Sequence, residues 1–213
     1  GDEDSRLNIH LSEEEQVDQI KLWWKENGRS AITGVVLGLG AVFGWQYWSQ
    51  YQQAQVEQAS VKFEQLDQSV STGNSALAVK QADTLMSEHQ GSTYSTFAGL
   101  ELAKVNLQQD NVVAAQAQLQ WVIEHTDDAS LQQVARLRLA RLLLDMEKPT
   151  EASAVIAQAK NDNFAGEFSE LQGDVALYQG NKDAARQAYQ TALDKGVGDI
   201  AVVQMKIDDL AVK

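Results

Sequence analysis

From Ser30 to Trp48 the chain runs nineteen residues without a charge, S-A-I-T-G-V-V-L-G-L-G-A-V-F-G-W-Q-Y-W, while charged and amide residues recur every few positions on both sides. As a helix at about 1.5 Å per residue this stretch is about 28 Å long, close to the ~30 Å hydrocarbon core of a bilayer. Trp23 and Trp24 stand just before it, and Trp45, Tyr47 and Trp48 stand at its far end. Trp24 and Trp45 lie about 31 Å apart along such a helix, the separation of two interfacial aromatic belts. A buried core helix does not need tryptophan at both ends. A cleaved signal would be shorter and followed by a small-x-small site, not by Q-Y-W-S-Q-Y-Q-Q-A-Q. The pattern therefore predicts an uncleaved signal-anchor over residues 30–48.

Basic residues set its direction. Lys21, Lys25 and Arg29 precede the span, and the first basic residue after it is Lys62. The positive-inside rule predicts a cytoplasmic tail, residues 1–29, and a large C-terminal part, 49–213, outside the cytoplasm. Within the span, Gly34-x-x-x-Gly38 and Gly40-x-x-x-Gly44 allow a second helix to approach closely. That helix is either another copy or a different membrane protein. In the tail, Ser12 and Glu15 form a capping box that predicts the start of a short amphipathic helix, with Val17, Ile20 and Trp24 on one face. This helix either lies on the inner leaflet or is a solvated cap, and Asn27-Gly28 is the expected break before the span.

After the span the polar pattern becomes helical, with no strand-like alternation. It is also self-similar. In L-Q-G-D-V-A-L-Y-Q-G-N-K-D-A-A-R-Q-A-Y-Q-T-A-L, Gly173, Gly180, Ala185, Tyr189 and Ala192 fall at the spacing of the tetratricopeptide repeat, a helix-turn-helix unit. Ala140, Leu143, Ala152, Ile156 and Ala159 fit the same frame, as do Leu102, Ala103, Ala115 and Leu119; a degenerate first unit keeps Gly73, Ala78, Ala82 and Leu85. Small residues let the two helices of a hairpin approach, and larger apolar ones plug into the next hairpin, so several units must stack. The frame is imperfect: Asn106 and Ala176 occupy places where a large residue is usual. Ile200, Val203 and Ile207 are expected to cover the last unit, after a turn at Gly196 and Gly198. Ser49 to Val70 has no Pro or Gly, so the span is expected to continue directly into the first repeat helix. The predicted fold is all-α: one transmembrane helix, then a tetratricopeptide-like solenoid of about four hairpins with a C-terminal capping helix.

Composition narrows the function. The net charge is −13, and from Ser49 onward 22 acidic residues face 13 basic ones. No broad basic surface for nucleic acid is expected. Without cysteine there is no disulfide framework, thiolate metal site or thiol nucleophile. His10, His89 and His125 are isolated, and neither H-E-x-x-H, G-x-S-x-G nor a P-loop occurs. The glycine run G-L-G-A-V-F-G lies inside the apolar span with no strand before it. Asp127-Asp128 reads as loop and Asp208-Asp209 as a solvated helix face. A non-enzymatic protein without cofactor or metal is expected.

Solenoids of this kind bind partners along the face made by their first helices. In the repeat frame the inward positions are Leu100, Lys104 and Leu107, then Leu137, Arg141 and Leu144, then Glu170, Asp174 and Leu177. Leu107, Leu144 and Leu177 would line up with charges beside them. This strip suits an extended or helical peptide of loose sequence, but the same leucines could serve packing between repeats. Lys104 and Arg141 alone do not make a clamp for a free C-terminal carboxylate.

The order of these features, W-W-K-E-N-G-R, the glycine-rich span ending in W-Q-Y-W, and repeats ending in G-D-V-A-L-Y-Q-G-N-K-D-A-A-R-Q-A-Y and M-K-I-D-D-L, resembles the YfgM family of Gram-negative bacteria, ancillary subunits of the SecYEG translocon. The resemblance covers nearly the whole chain. It implies a single-pass inner-membrane protein with a cytoplasmic N-terminus and a periplasmic repeat domain. It also implies association with the SecYEG channel and the membrane-anchored periplasmic chaperone PpiD, and help for translocating polypeptides as they leave the channel. Cytoplasmic stress signalling through the tail is a further family association, although this tail opens with the acidic run G-D-E-D-S-R. The reading from a different class is an envelope-assembly scaffold bound through the groove; a homodimer held by the glycine face is a third.

Overall fold

The computed structural model describes residues 2–160 and 163–211, with side chains from residue 13 onward. Among the described residues all regular structure is helical: α1 Asp2–Ser71, α2 Ser75–Glu88, α3 Thr93–Gln108, α4 Val112–His125, α5 Ala129–Asp145, α6 Pro149–Ala157, α7 Ala165–Tyr178, α8 Lys182–Asp194 and α9 Ile200–Ala211. The chain forms two compact units, Gly1–Ala54 and Gln55–Lys213, and α1 contributes to both. The expected continuation of the span into the first repeat helix is present. The expected break at Asn27-Gly28 is not, and neither is a helix start at Ser12. The Asn27 side chain donates back to the Trp23 carbonyl at 3.2 Å, one turn earlier. Gly28 lies beneath the Trp24 indole, where a Cβ would sit 3.5 Å from Nε1. Both residues are thus accommodated inside the helix, and Ser12 lies ten residues past the start of α1.

In the second unit the end of α1 pairs with α2, α3 with α4, α5 with α6 and α7 with α8, and α9 packs on α8. These are the four hairpins and cap that the repeat frame predicts. Each hairpin closes through the same turn. Gly73, Asp110, Glu147 and Gly180 all have positive φ, between 60 and 78°. The next residue's N–H reaches back to the carbonyl five residues earlier: Asn74 to Ser69, Asn111 to Asn106, Lys148 to Leu143 and Asn181 to Ala176, at 2.8–2.9 Å. This satisfies carbonyls left open at the end of the first helix. Asn74, Asn111 and Asn181 then cap the second helix through their side chains. In the third hairpin Pro149 opens α6 instead, because its missing N–H is one that has no helical partner there.

Ala78, Ala115, Ala152 and Ala185 are each 1 % exposed or less. They occupy the close crossing of the two helices of each hairpin, where a larger side chain would force them apart. Three apolar clusters stack in order. The first joins α1, α2 and α3 around Leu66, Leu85 and Leu102. The second runs from α3 to α7 through Leu119, Val122, Leu143 and Leu171. The third holds Tyr189, Val197, Val203 and Leu210 under the last helix. Val203 and Ile207 cover the final hairpin as expected; Ile200 does not, being exposed at the start of α9, and Leu210 takes part in its place.

Candidate functional site

The first unit presents an apolar surface with no cover. Val35, Val36, Leu37, Leu39, Val42 and Phe43 are all more than half exposed, and no part of the apolar stretch is buried. Among the described residues α1 alone is long and apolar enough to cross a membrane. An apolar patch this large is not stable in water and marks a membrane or protein contact. Trp23, Trp24, Trp45, Tyr47 and Trp48 are exposed at its two ends, with Trp23–Trp24 and Trp45–Trp48 centroids 6.4 and 5.3 Å apart. Lys21 is 3.9 Å from Asp18; Lys25 and Arg29 are exposed. A Cβ added at Gly34, Gly38, Gly40 or Gly44 meets nothing within 4 Å. At about 100° per residue, these glycines and Ala31 and Ala41 occupy one side of the helix. Ile32, Val35, Val36, Leu39, Val42 and Phe43 occupy the other.

In the second unit two depressions lie along the first helices of successive hairpins. One, of about 460 Å³, is floored by Leu100, Ala103, Leu107, Leu119 and Leu142 and edged by Glu101, Lys104, Arg138, Arg141 and Asp145. The other, of about 490 Å³, is lined by Arg141, Leu144, Asp145, Glu170, Leu171, Asp174, Tyr178 and Lys206. Arg141 and Asp145 border both. The helical period explains the sides: Leu100, Lys104 and Leu107 recur at three and four residues on α3, and Arg138, Arg141 and Asp145 do so on α5. At the end nearer α1, half-buried Phe63, Tyr94 and Phe97 cluster with ring centroids 5.8–6.4 Å apart. Phe97 lies one turn before Leu100 and Glu101.

Of the residues expected in the groove, Leu100, Lys104, Leu107, Arg141, Leu144 and Asp174 line a depression. Leu137 does not: it is 6 % exposed and belongs to the second core cluster. Leu177 is exposed outside both depressions. Packing between repeats claims Leu137, and solvent takes Leu177. Asp174 is not a free acid either. Lys206 Nζ from α9 donates to both its carboxylate oxygens, at 2.8 and 2.9 Å, and to Glu170 Oε1 at 2.7 Å. The Tyr189 hydroxyl donates to Asp174 Oδ1 at 2.7 Å. Burial alone would lower the Lys206 ammonium, but its hydrogen bonds and the charges of Asp174 and Glu170 outweigh it, and the net direction is up. Burial first, then the bond to Asp174, drives the Tyr189 phenol well above its usual range. Sequence reasoning missed Arg138, Asp145, Tyr178 and Lys206. Arg138 was within reach, because it stands three residues before Arg141 on the same helix. Lys206 was not, because it comes from a helix read only as a cover. Among the described residues no group of three or more His, Asp or Glu side chains is placed to hold a metal.

The fold and this face define a tetratricopeptide-like helical-repeat protein with one candidate membrane-spanning helix. The family model of the tetratricopeptide repeat-like domain matches residues 21–212. The ancillary SecYEG translocon subunit of Escherichia coli (strain K12) is 31% identical over 208 residues, 97% of this chain and 100% of that protein. The protein of that name from Haemophilus influenzae is 29% identical over 94% of this chain and 98% of its own length, and that from Neisseria gonorrhoeae is 24% identical over 96% and 100%. The chain belongs to their family, the YfgM family of repeat proteins.

Proposed function

We propose that the chain is a non-enzymatic accessory subunit of the Sec translocon in the bacterial inner membrane. Residues 1–29 lie in the cytoplasm, 30–48 cross the bilayer once, and 49–213 lie in the periplasm. The glycine side of the span packs against a helix of the channel, and its Val and Leu side faces lipid. The repeat groove receives periplasmic partners: the chaperone PpiD, or polypeptides emerging from the channel. What carries this reading is the nearly full-length similarity to ancillary SecYEG subunits in a chain whose apolar helix is left bare. Orientation rests on Lys21, Lys25 and Arg29.

The test replaces residues 30–48 with an unrelated membrane helix of equal length and measures recovery of channel subunits with the protein from solubilised membranes. Loss of the channel supports the reading. Full retention refutes the assignment of the contact to the span. It would favour the second reading, a periplasmic scaffold held by its groove, for which the two depressions speak.

A further inference from the structure

The repeat domain is acidic in sum, with 22 acidic residues against 13 basic from Ser49 onward, yet the first depression is edged by more cations than anions. Lys104, Arg138 and Arg141 face Glu101 and Asp145. Lys104 is 3.7 Å from Glu101. Among the described residues neither Arg138 nor Arg141 has a carboxylate oxygen within 4.0 Å. The contrast with the neighbouring depression is direct. There, beside the shared Arg141 and Asp145, the one further cation, Lys206, is taken up by Glu170 and Asp174. The two guanidiniums sit beside a leucine floor and share one side of α5, a turn apart, so a single bound segment can meet both.

We propose that this depression selects polypeptide segments that present carboxylates beside leucine-like side chains, with Arg138 and Arg141 as the carboxylate contacts. The inference rests on the groove reading above and adds its ligand chemistry. Leu100, Leu107 and Leu142 take the apolar side chains of the segment. The guanidiniums, permanently charged and forked, take its Asp or Glu side chains in paired hydrogen bonds. Charge complementarity supports this occupant. An acidic segment meets a chain of net charge −13 and finds at this apolar floor two guanidiniums without a carboxylate partner among the described residues, which fixes where it docks more than how tightly. A basic segment would meet the reverse pattern and be drawn elsewhere.

The experiment uses the full-length protein in lipid nanodiscs and three labelled peptides of equal length with blocked ends. Each repeats Leu and Ala with every fourth residue Glu, Gln or Lys. Binding is read by fluorescence anisotropy. The Glu peptide is expected to bind at least tenfold more tightly than the Gln or Lys peptide at low salt, with the preference shrinking as salt screens it. The double variant Arg138→Gln, Arg141→Gln is expected to bind Glu and Gln peptides alike while keeping its melting temperature. Arg141→Lys should restore only part of the preference, because an ammonium lacks the fork. Equal binding of Glu and Gln peptides by the parent, lost in Leu107→Glu, overturns the charge preference and leaves the groove reading standing. No binding of any peptide, with channel subunits still co-purifying, overturns both while sparing the translocon assignment.

Discussion

Gly173 on α7 lies against the ring of Tyr189 on α8. A Cβ there would be 2.3 Å from Cε1 and 2.5 Å from Cδ1. An ordinary carbon contact is about 3.5 Å or more, so Gly173→Ala requires the ring to move by about 1 Å. The ring has nowhere to go. Tyr189 is completely buried, and its hydroxyl is held by Asp174, which Lys206 holds in turn. Overpacking of this kind costs about 1–3 kcal/mol, and exchanging a helix-interior glycine for alanine returns about 0.5–1 kcal/mol. Because the ring is buried and held, the upper part of that range applies, about 2–3 kcal/mol, so the net destabilisation is about 1–2.5 kcal/mol, a fall in melting temperature of about 2–10 °C for a domain of this size. Far-ultraviolet circular dichroism melts of the full-length protein in detergent would read it. The decisive comparison is a double-mutant cycle. In a Tyr189→Ala background the ring is gone, and Gly173→Ala should stabilise by about 0.5–1 kcal/mol. A Gly173→Ala protein as stable as the parent, or a cost that persists without the ring, refutes the contact as the reason for this glycine.

Gly166→Ala should cost at least as much by the same melts, since its Cβ would sit 2.6 Å from the Val197 backbone nitrogen, which cannot rotate away. Glu147→Gly should stabilise by about 0.5–1 kcal/mol in the same assay, because Glu147 holds a φ of 61° that a side chain resists; an unchanged or lower melting temperature would contradict this. Lys206→Met should cost about 2 kcal/mol at neutral pH by leaving Glu170 and Asp174 without their cation, a figure reduced for partial exposure. The native state holds the protons of Lys206 and Tyr189 above their ordinary values of 10.5 and 10.0. Their contribution is therefore complete at neutral pH and lost as the pH rises past about 10. Alkaline melts of a Lys206→Met, Tyr189→Phe double variant should decline less steeply than those of the parent, and equal slopes would contradict the assignment.

Much of this was legible because close packing leaves a mark in residue size. The alanines at 78, 115, 152 and 185 recur where two helices nearly touch, so spacing alone exposed the hairpins. The turns were half visible. Gly73 and Gly180 announce a left-handed residue, while Asp110 and Glu147 perform the same duty against their own preference. The bare apolar helix was readable because an uncharged run of nineteen residues stands out in a polar chain, and its length is what a bilayer would require. What escaped depends on contacts between distant segments. Leu137 and Arg141 are one turn apart on α5, yet neighbouring hairpins bury the first and leave the second free. The bond from Lys206 to Asp174 crosses 32 residues, and no local pattern encodes it. Asn27-Gly28 reads as a break in isolation, but the Asn27 amide and the Trp24 indole let the helix pass through.

The central claim is that the span's glycine side meets the Sec channel. Site-specific photocrosslinking in native membranes tests it directly, with one probe at Leu37, among the small residues, and another at Val35 on the opposite side. The account predicts adducts to channel subunits from Leu37 and to lipid from Val35. No channel adduct from Leu37, or equal channel adducts from both positions, would contradict it.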